Sequence, residues 1–127
     1  TGNAVDFGDG SFGFNRCAAG SNNVRALIAG RQGPSSAYRG EMIQKFNMAS
    51  GGNAVNFGEL TRSRAPGNSA VTNATRAVWG GGQAPGAQNV LQYVEIATTG
   101  NAVNFGDLDD GTPFSISVCS DVHGGLG

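Results

Sequence analysis

Apolar and polar residues alternate along two nine-residue stretches of this chain. In Met42-Ile43-Gln44-Lys45-Phe46-Asn47-Met48-Ala49-Ser50, the residues Met42, Phe46 and Met48 share one face at period two. In Val90-Leu91-Gln92-Tyr93-Val94-Glu95-Ile96-Ala97-Thr98, Val90, Val94 and Ile96 do the same. A glutamine, Gln44 or Gln92, interrupts each face at the same phase. Period-two alternation with Val, Ile, Tyr and Thr predicts a half-buried strand in both places. Upstream, Arg25-Ala26-Leu27-Ile28-Ala29-Gly30 and Arg76-Ala77-Val78-Trp79-Gly80-Gly81 are short apolar runs ending in glycine. They predict buried strands closed by turns. Polar turns precede them, Ser21-Asn22-Asn23 and Thr72-Asn73-Ala74-Thr75, and before these come the small-residue segments Cys17 to Gly20 and Gly67 to Val71.

The correspondence between the two stretches is part of an internal repeat. Gly-Asn-Ala-Val-x-Phe-Gly occurs three times, at Gly2–Gly8, Gly52–Gly58 and Gly100–Gly106, at intervals of about 50 residues. An acid follows each copy: Asp9, Glu59 and Asp107. Each unit then reads as four strands: a small-residue strand, the Arg-apolar-Gly strand, the long alternating strand, and a closing Ala-Val-x-Phe strand. Gly-Asn between the last two is a tight-hairpin signal, because both residues tolerate positive φ. The fold class is therefore all-β, built from four-stranded meanders of the size of a propeller blade. On this reading residues 1–10 are a lone closing strand (Ala4 to Phe7), 11–60 unit one, 61–108 unit two, and 109–127 a first strand (Phe114 to Cys119) with a tail. That is about two and a half blades. A β-solenoid is the runner-up. Because two blades cannot close a ring, either further chain supplies more blades or several copies assemble; assembly is favoured, with other subunits completing the ends and a trimer expected.

Composition agrees with strands and turns. Glycine accounts for 22 of the 127 residues and charged residues for 13%, which suits turns rather than long surface helices. The net charge is −1, and Lys45 is the only lysine, so no clustered basic field exists for nucleic acid. No apolar run approaches the roughly 20 residues of a membrane-spanning helix. The low charge leans toward an extracellular or particle-surface protein, and the start at Thr1 at the edge of a repeat copy suggests that more chain once preceded it.

Candidate chemistry is sparse. Ser120, Asp121 and His123 are sequence neighbours, which does not supply triad geometry. Asp107, Asp109, Asp110 and Gly111 resemble part of a calcium loop, but no glutamate completes it. The acid after Phe-Gly reads more simply as a turn-capping group. Gly80-Gly81-Gly82 and Gly124-Gly125 lack the Lys-Ser or Lys-Thr of a phosphate loop. Asn73-Ala74-Thr75 matches the glycosylation triplet, but the same turn in unit one lacks it. Cys17 and Cys119 read as buried small side chains in preference to a disulfide. Phe7, Phe57 and Phe105 read as packing residues between units, with stacking on sugar rings as the alternative. No catalytic, cofactor-binding or metal site is assigned, and no cofactor is expected.

Two resemblances extend this reading. Val78-Trp79-Gly80-Gly81-Gly82, then Val90-Leu91-Gln92-Tyr93-Val94, then Val103-Asn104-Phe105 are similar to the order of features in a Kelch-type blade. Phe105 stands for the usual Trp, and Gly30-Arg31 for a glycine pair. The Gly-Asn-Ala-x-x-Phe-Gly-Asp-Leu marker, following Tyr93-Val94-Glu95-Ile96-Ala97-Thr98-Thr99, resembles repeats of virion structural proteins of tailed bacteriophages, especially those of aquatic and cyanobacterial hosts. Arg16-Cys17 and the stretch from Arg64 to Ser69 stand where that repeat continues. The resemblance implies a non-enzymatic particle component: a fibre, tail or capsid-surface protein on the virion surface. Its expected partners are its own copies and other virion proteins. The alternative is a propeller lectin for host surface glycans, in which an aromatic outside the core, such as Tyr38, would touch sugar.

Overall fold

The computed structural model describes residues 2–11, 13, 16–32, 39–64, 69–82, 86–109 and 118–119. The chain is all-β. Eight strands form two four-stranded antiparallel sheets, and no helix occurs among the described residues. Sheet one contains β1 (Ala18–Ser21), β2 (Arg25–Gln32), β3 (Arg39–Asn47) and β4 (Val55–Arg64) in that spatial order. Sheet two repeats the meander with β5 (Ser69–Thr72), β6 (Arg76–Gly80), β7 (Val90–Glu95) and β8 (Val103–Asp107).

The β1–β2 and β5–β6 hairpins are set by the same side-chain chemistry. Asn22 Oδ1 accepts hydrogen bonds from the N–H groups of Val24 and Arg25. Asn73 Oδ1 accepts from those of Thr75 and Arg76. An asparagine that bonds backbone two and three residues on mimics a backbone turn. Asn73 of the glycosylation triplet thus serves the same turn that Asn22 serves in unit one.

The sheets lie face to face, with β1 against β5 and β6, and β4 against β8. Leu27, Ala29, Ile43, Phe57 and Leu60 from sheet one meet Ala77, Trp79, Val94, Ile96 and Ala102 from unit two in one buried cluster. The inner strands use small residues because their backbones come close. A Cβ added at Gly20 would strike the Thr72 side chain, and Thr72 Oγ1 donates to the Ser21 carbonyl at 2.8 Å.

Several expectations are corrected. Ala4 to Phe7 is not a ladder strand, because no described strand stands beside it in the position that β3 holds for β4. Gly-Asn does not form a two-residue hairpin turn. The β3–β4 connection runs from Met48 to Ala54, with its turn at Met48 to Ser50, and Gly52-Asn53-Ala54 follows outside both strands. Gly30 does not end a strand. It sits at a bulge (φ 74°), and β2 continues to Gln32. Gly81 and Gly82 do follow the end of β6 with positive φ, as a strand-closing turn requires. In β3 the buried residues are Ile43 and Gln44, on opposite faces, while Met48 is exposed. In β7 the expected face is buried at Gln92 and Val94 and continues to Ile96 just beyond the strand, where sheet one covers it, while Val90 is half-buried. Cys17 is half-buried and Cys119 exposed, and both are free thiols. The final-strand expectation (Phe114 to Cys119) falls largely outside the described residues, and Val118 and Cys119 are exposed and not in a strand.

Candidate functional site

The recurrent marker is the most distinctive chemical feature of this sequence, and it lies where one unit meets the next. Its first half and its second half belong to different seams. Gly52 N–H donates to the Phe7 carbonyl and Ala54 N–H to the Asp9 carbonyl, each at 2.8 Å. Asp9 N–H donates to Asn53 Oδ1 at 2.9 Å. One unit further on, Gly100 N–H donates to the Phe57 carbonyl (3.0 Å), Ala102 N–H to the Glu59 carbonyl (2.8 Å), and Glu59 N–H to Asn101 Oδ1 (3.1 Å). The Gly-Asn-Ala of each unit is thus clipped onto the Phe-Gly-acid of the unit before it.

A fourth rung comes from the glutamines that interrupt the apolar faces. Gln44 Oε1 accepts from Ser11 N–H at 3.0 Å. Gln92 Oε1 accepts from Thr61 N–H at 2.6 Å and from Thr61 Oγ1 at 2.8 Å. Ser11 and Thr61 each lie four residues beyond the marker phenylalanine of the preceding unit. A buried amide that meets a cross-unit backbone donor satisfies both groups. The Nε2 groups of Gln44 and Gln92 have no partner among the described residues, and neither does Trp79 Nε1.

The marker glycine is required by the clip. Between Asn56, paired with Gln44, and Gly58, paired with Ile43, Phe57 sits at a bulge in β4, and Phe105 sits at the matching bulge in β8. The next glycine lets the following unit's backbone approach. A Cβ at Gly8 would lie 2.5 Å from the Gly52 carbonyl carbon, and one at Gly58 would strike the Gly100 carbonyl oxygen. At Gly106 no described residue lies within 4 Å, although its φ of 151° resembles that of its two counterparts.

The three marker phenylalanines therefore differ by position in the stack. Phe57 is 1% exposed, beneath the second sheet. Phe7 is 45% exposed and meets Phe46 edge-on at 6.0 Å; Phe105 is 56% exposed and meets Tyr93 edge-on at 5.8 Å. Packing between units is thus the observed role of Phe57.

Arginines follow the same logic. Arg25 reaches across the seam, its guanidinium donating to the carbonyls of Ile96 (2.9 Å) and Ala97 (2.6 Å). Arg76 is the equivalent residue of unit two. It pairs within its own sheet with Glu95 at 2.6 Å and stacks over Tyr93. The hydrogen bond and charge of Glu95 hold the Arg76 guanidinium above its ordinary pKa.

The acids after Phe-Gly are not turn caps. Glu59 lies within β4, and Asp9 and Glu59 enter the seam through their backbone groups. Among the described residues no group of three or more His, Cys, Asp or Glu is placed to hold a metal ion. Asp107 and Asp109 are exposed; Asp110 and Gly111 lie outside the described residues, as do Tyr38, Ser120, Asp121, His123, Gly124 and Gly125. Sequence reasoning found the marker and the phased glutamines but assigned them to a local hairpin and an interrupted face. Their common spacing was the available signal that they act together.

The fold and seam define a class: an all-β repeat protein whose conserved-by-repetition residues join one four-stranded sheet to the next. No family model matches the chain, and no curated protein matches it. Among the described residues no helix is long and apolar enough to cross a membrane.

Proposed function

We propose that this chain is a non-enzymatic structural component of a bacteriophage particle, a fibre, tail or capsid-surface protein that works by assembly. The observation that carries this reading is the two-fold recurrence of the marker clip. The repeated Gly-Asn-Ala and Phe-Gly-acid segments meet each other across the boundary between units in both places where the two halves are brought together. The two sheets are then consecutive blades of a Kelch-like array that other subunits complete. The resemblance of the marker to phage virion repeats supports the particle context. Repeat arrays of this kind gain stability from each neighbour interface they form.

The test is to purify the particles of the phage that encodes the chain and analyse them by mass spectrometry and immunogold labelling. The expected result is a stoichiometric component at a fixed position on the particle. Absence from purified particles overturns the proposal.

One observation favours a second reading, a glycan-binding module. Phe105 is exposed beside a hollow of about 240 Å³ lined also by Val71, Thr72, Asn73, Arg76 and Val78. An exposed aromatic face with nearby hydrogen-bonding groups suits a sugar ring. A glycan array separates the two: binding that is lost in Phe105→Ala supports the lectin, and no binding leaves the aromatic to assembly.

A further inference from the structure

The clip occurs twice, and each half of it also occurs once unused. Gly2, Asn3 and Ala4 are exposed, and among the described residues Asn3 makes no counterpart of the Asn53 and Asn101 bonds. Phe105, Gly106 and Asp107 carry no Gly-Asn-Ala segment; Phe105 is exposed, and no described residue lies over Gly106. These two unused halves have the same residues, but for Glu59 in place of aspartate in the second seam, and at Gly106 a similar backbone conformation to the halves that are joined at Gly52–Phe7 and Gly100–Phe57.

We infer that a second copy of this chain docks here, the Gly2-Asn3-Ala4 segment of one copy clipping onto Phe105-Gly106-Asp107 of the next. The inference rests on the assembly reading and names its interface. In the clip, Gly2 N–H donates to the Phe105 carbonyl, Ala4 N–H to the Asp107 carbonyl, and Asp107 N–H to Asn3 Oδ1, as in both internal seams. The occupant is a second copy because the chain itself carries the complementary half in the right sequence, and the interface continues one already formed twice. The contact is head-to-tail, so it uses two different surfaces of each copy. Such contacts close into a ring or run on as a filament. One buried backbone bond to an amide side chain is a modest contributor, so the clip works with the covering of Phe105 and with the seam's repetition.

The experiment is sedimentation of the purified full chain over a wide concentration range, alongside Asn3→Ala. Because Asn3 is exposed and unbonded among the described residues, this variant keeps the circular dichroism spectrum and melting temperature of the parent. The expected result is mass above that of a monomer, rising with concentration, and association weakened about three- to tenfold in Asn3→Ala. In NMR spectra the amide signals of Gly2, Ala4 and Asp107 shift with concentration, while those of Gly52 and Gly100 do not. A chain that stays monomeric at millimolar concentration overturns the inference. So does an oligomer that is indifferent to Asn3→Ala with those three amides unshifted. A monomer that instead captures a different polypeptide bearing the marker overturns it as well. Each of these leaves the particle analysis to decide the proposed function separately, since a virion protein can be held by other partners.

Discussion

Gln92, fully buried in β7, receives both the N–H and the hydroxyl of Thr61, a residue in the last strand of the other sheet. A polar side chain in the middle of an apolar face costs free energy unless it finds a hydrogen-bond partner. Here the partner is a backbone N–H that leaves its own ladder, at the irregular stretch of β4 between Glu59 and Arg64. The pair ties the geometry of one sheet to that of the next, and the Ser11–Gln44 pair repeats it.

Replacing Gln92 with Met keeps the volume but removes both hydrogen bonds from Thr61. The variant is expected to lose about 1–3 kcal/mol of stability, measured by urea denaturation. Gln92→Glu tests the same site electrostatically. Burial disfavours the charged carboxylate and raises its folded-state pKa above the ordinary value of about 4.3. Stability therefore falls as pH rises from about 4.3 through that raised pKa, and is recovered on acidification. A flat profile across that range means that water reaches the site.

Gly58 and Gly106 share a backbone conformation and differ in what covers them. Gly58→Ala must displace the Gly100 carbonyl and is expected to cost more than about 2 kcal/mol. Gly106→Ala meets open space and carries the backbone term alone. The difference between the two midpoints, in dilute solution, measures the seam. Equal losses would mean that φ, not the close approach, selects glycine in the marker.

The phenylalanines give a second gradient. Phe57→Ala empties a fully buried site and is expected to cost about 3–5 kcal/mol. Phe105→Ala removes a half-exposed ring and is expected to cost under about 1 kcal/mol in the dilute chain. Thermal denaturation of the two variants tests whether burial follows position in the stack.

Arg25→Ala removes two bonds across the seam, to the carbonyls of Ile96 and Ala97, and is expected to lower stability by about 1.5–3 kcal/mol. Arg76→Ala breaks an exposed pair with Glu95, which is screened by water and salt. Its midpoint is expected to match that of the parent within experimental error. A large loss in Arg76→Ala would show that the surface pair, and not the seam, is what arginine supplies at this position.

Much of this architecture is legible in the sequence. The spacing of the marker located the units, and period-two alternation located β3 and β7, because strand geometry puts every second side chain on one face. The asparagines of the β1–β2 and β5–β6 turns were legible for the same reason, since their chemistry is local. What the sequence could not disclose was the partner of each repeated group. Gly-Asn read as a hairpin because the residues suit one, yet Gly52-Asn53-Ala54 finds its hydrogen bonds on Phe7 and Asp9, more than 40 residues away in the chain. Gln44 and Gln92 looked like flaws in an apolar face until the neighbouring unit supplied Ser11 and Thr61. Identical residues such as Phe57 and Phe105 acquired different surroundings only from their place in the stack. Local sequence determines which segments run as strands and where the Asn22 and Asn73 turns fall. Which group satisfies a buried donor or acceptor is decided by what the fold brings beside it, and in this protein that neighbour is another copy of the repeat.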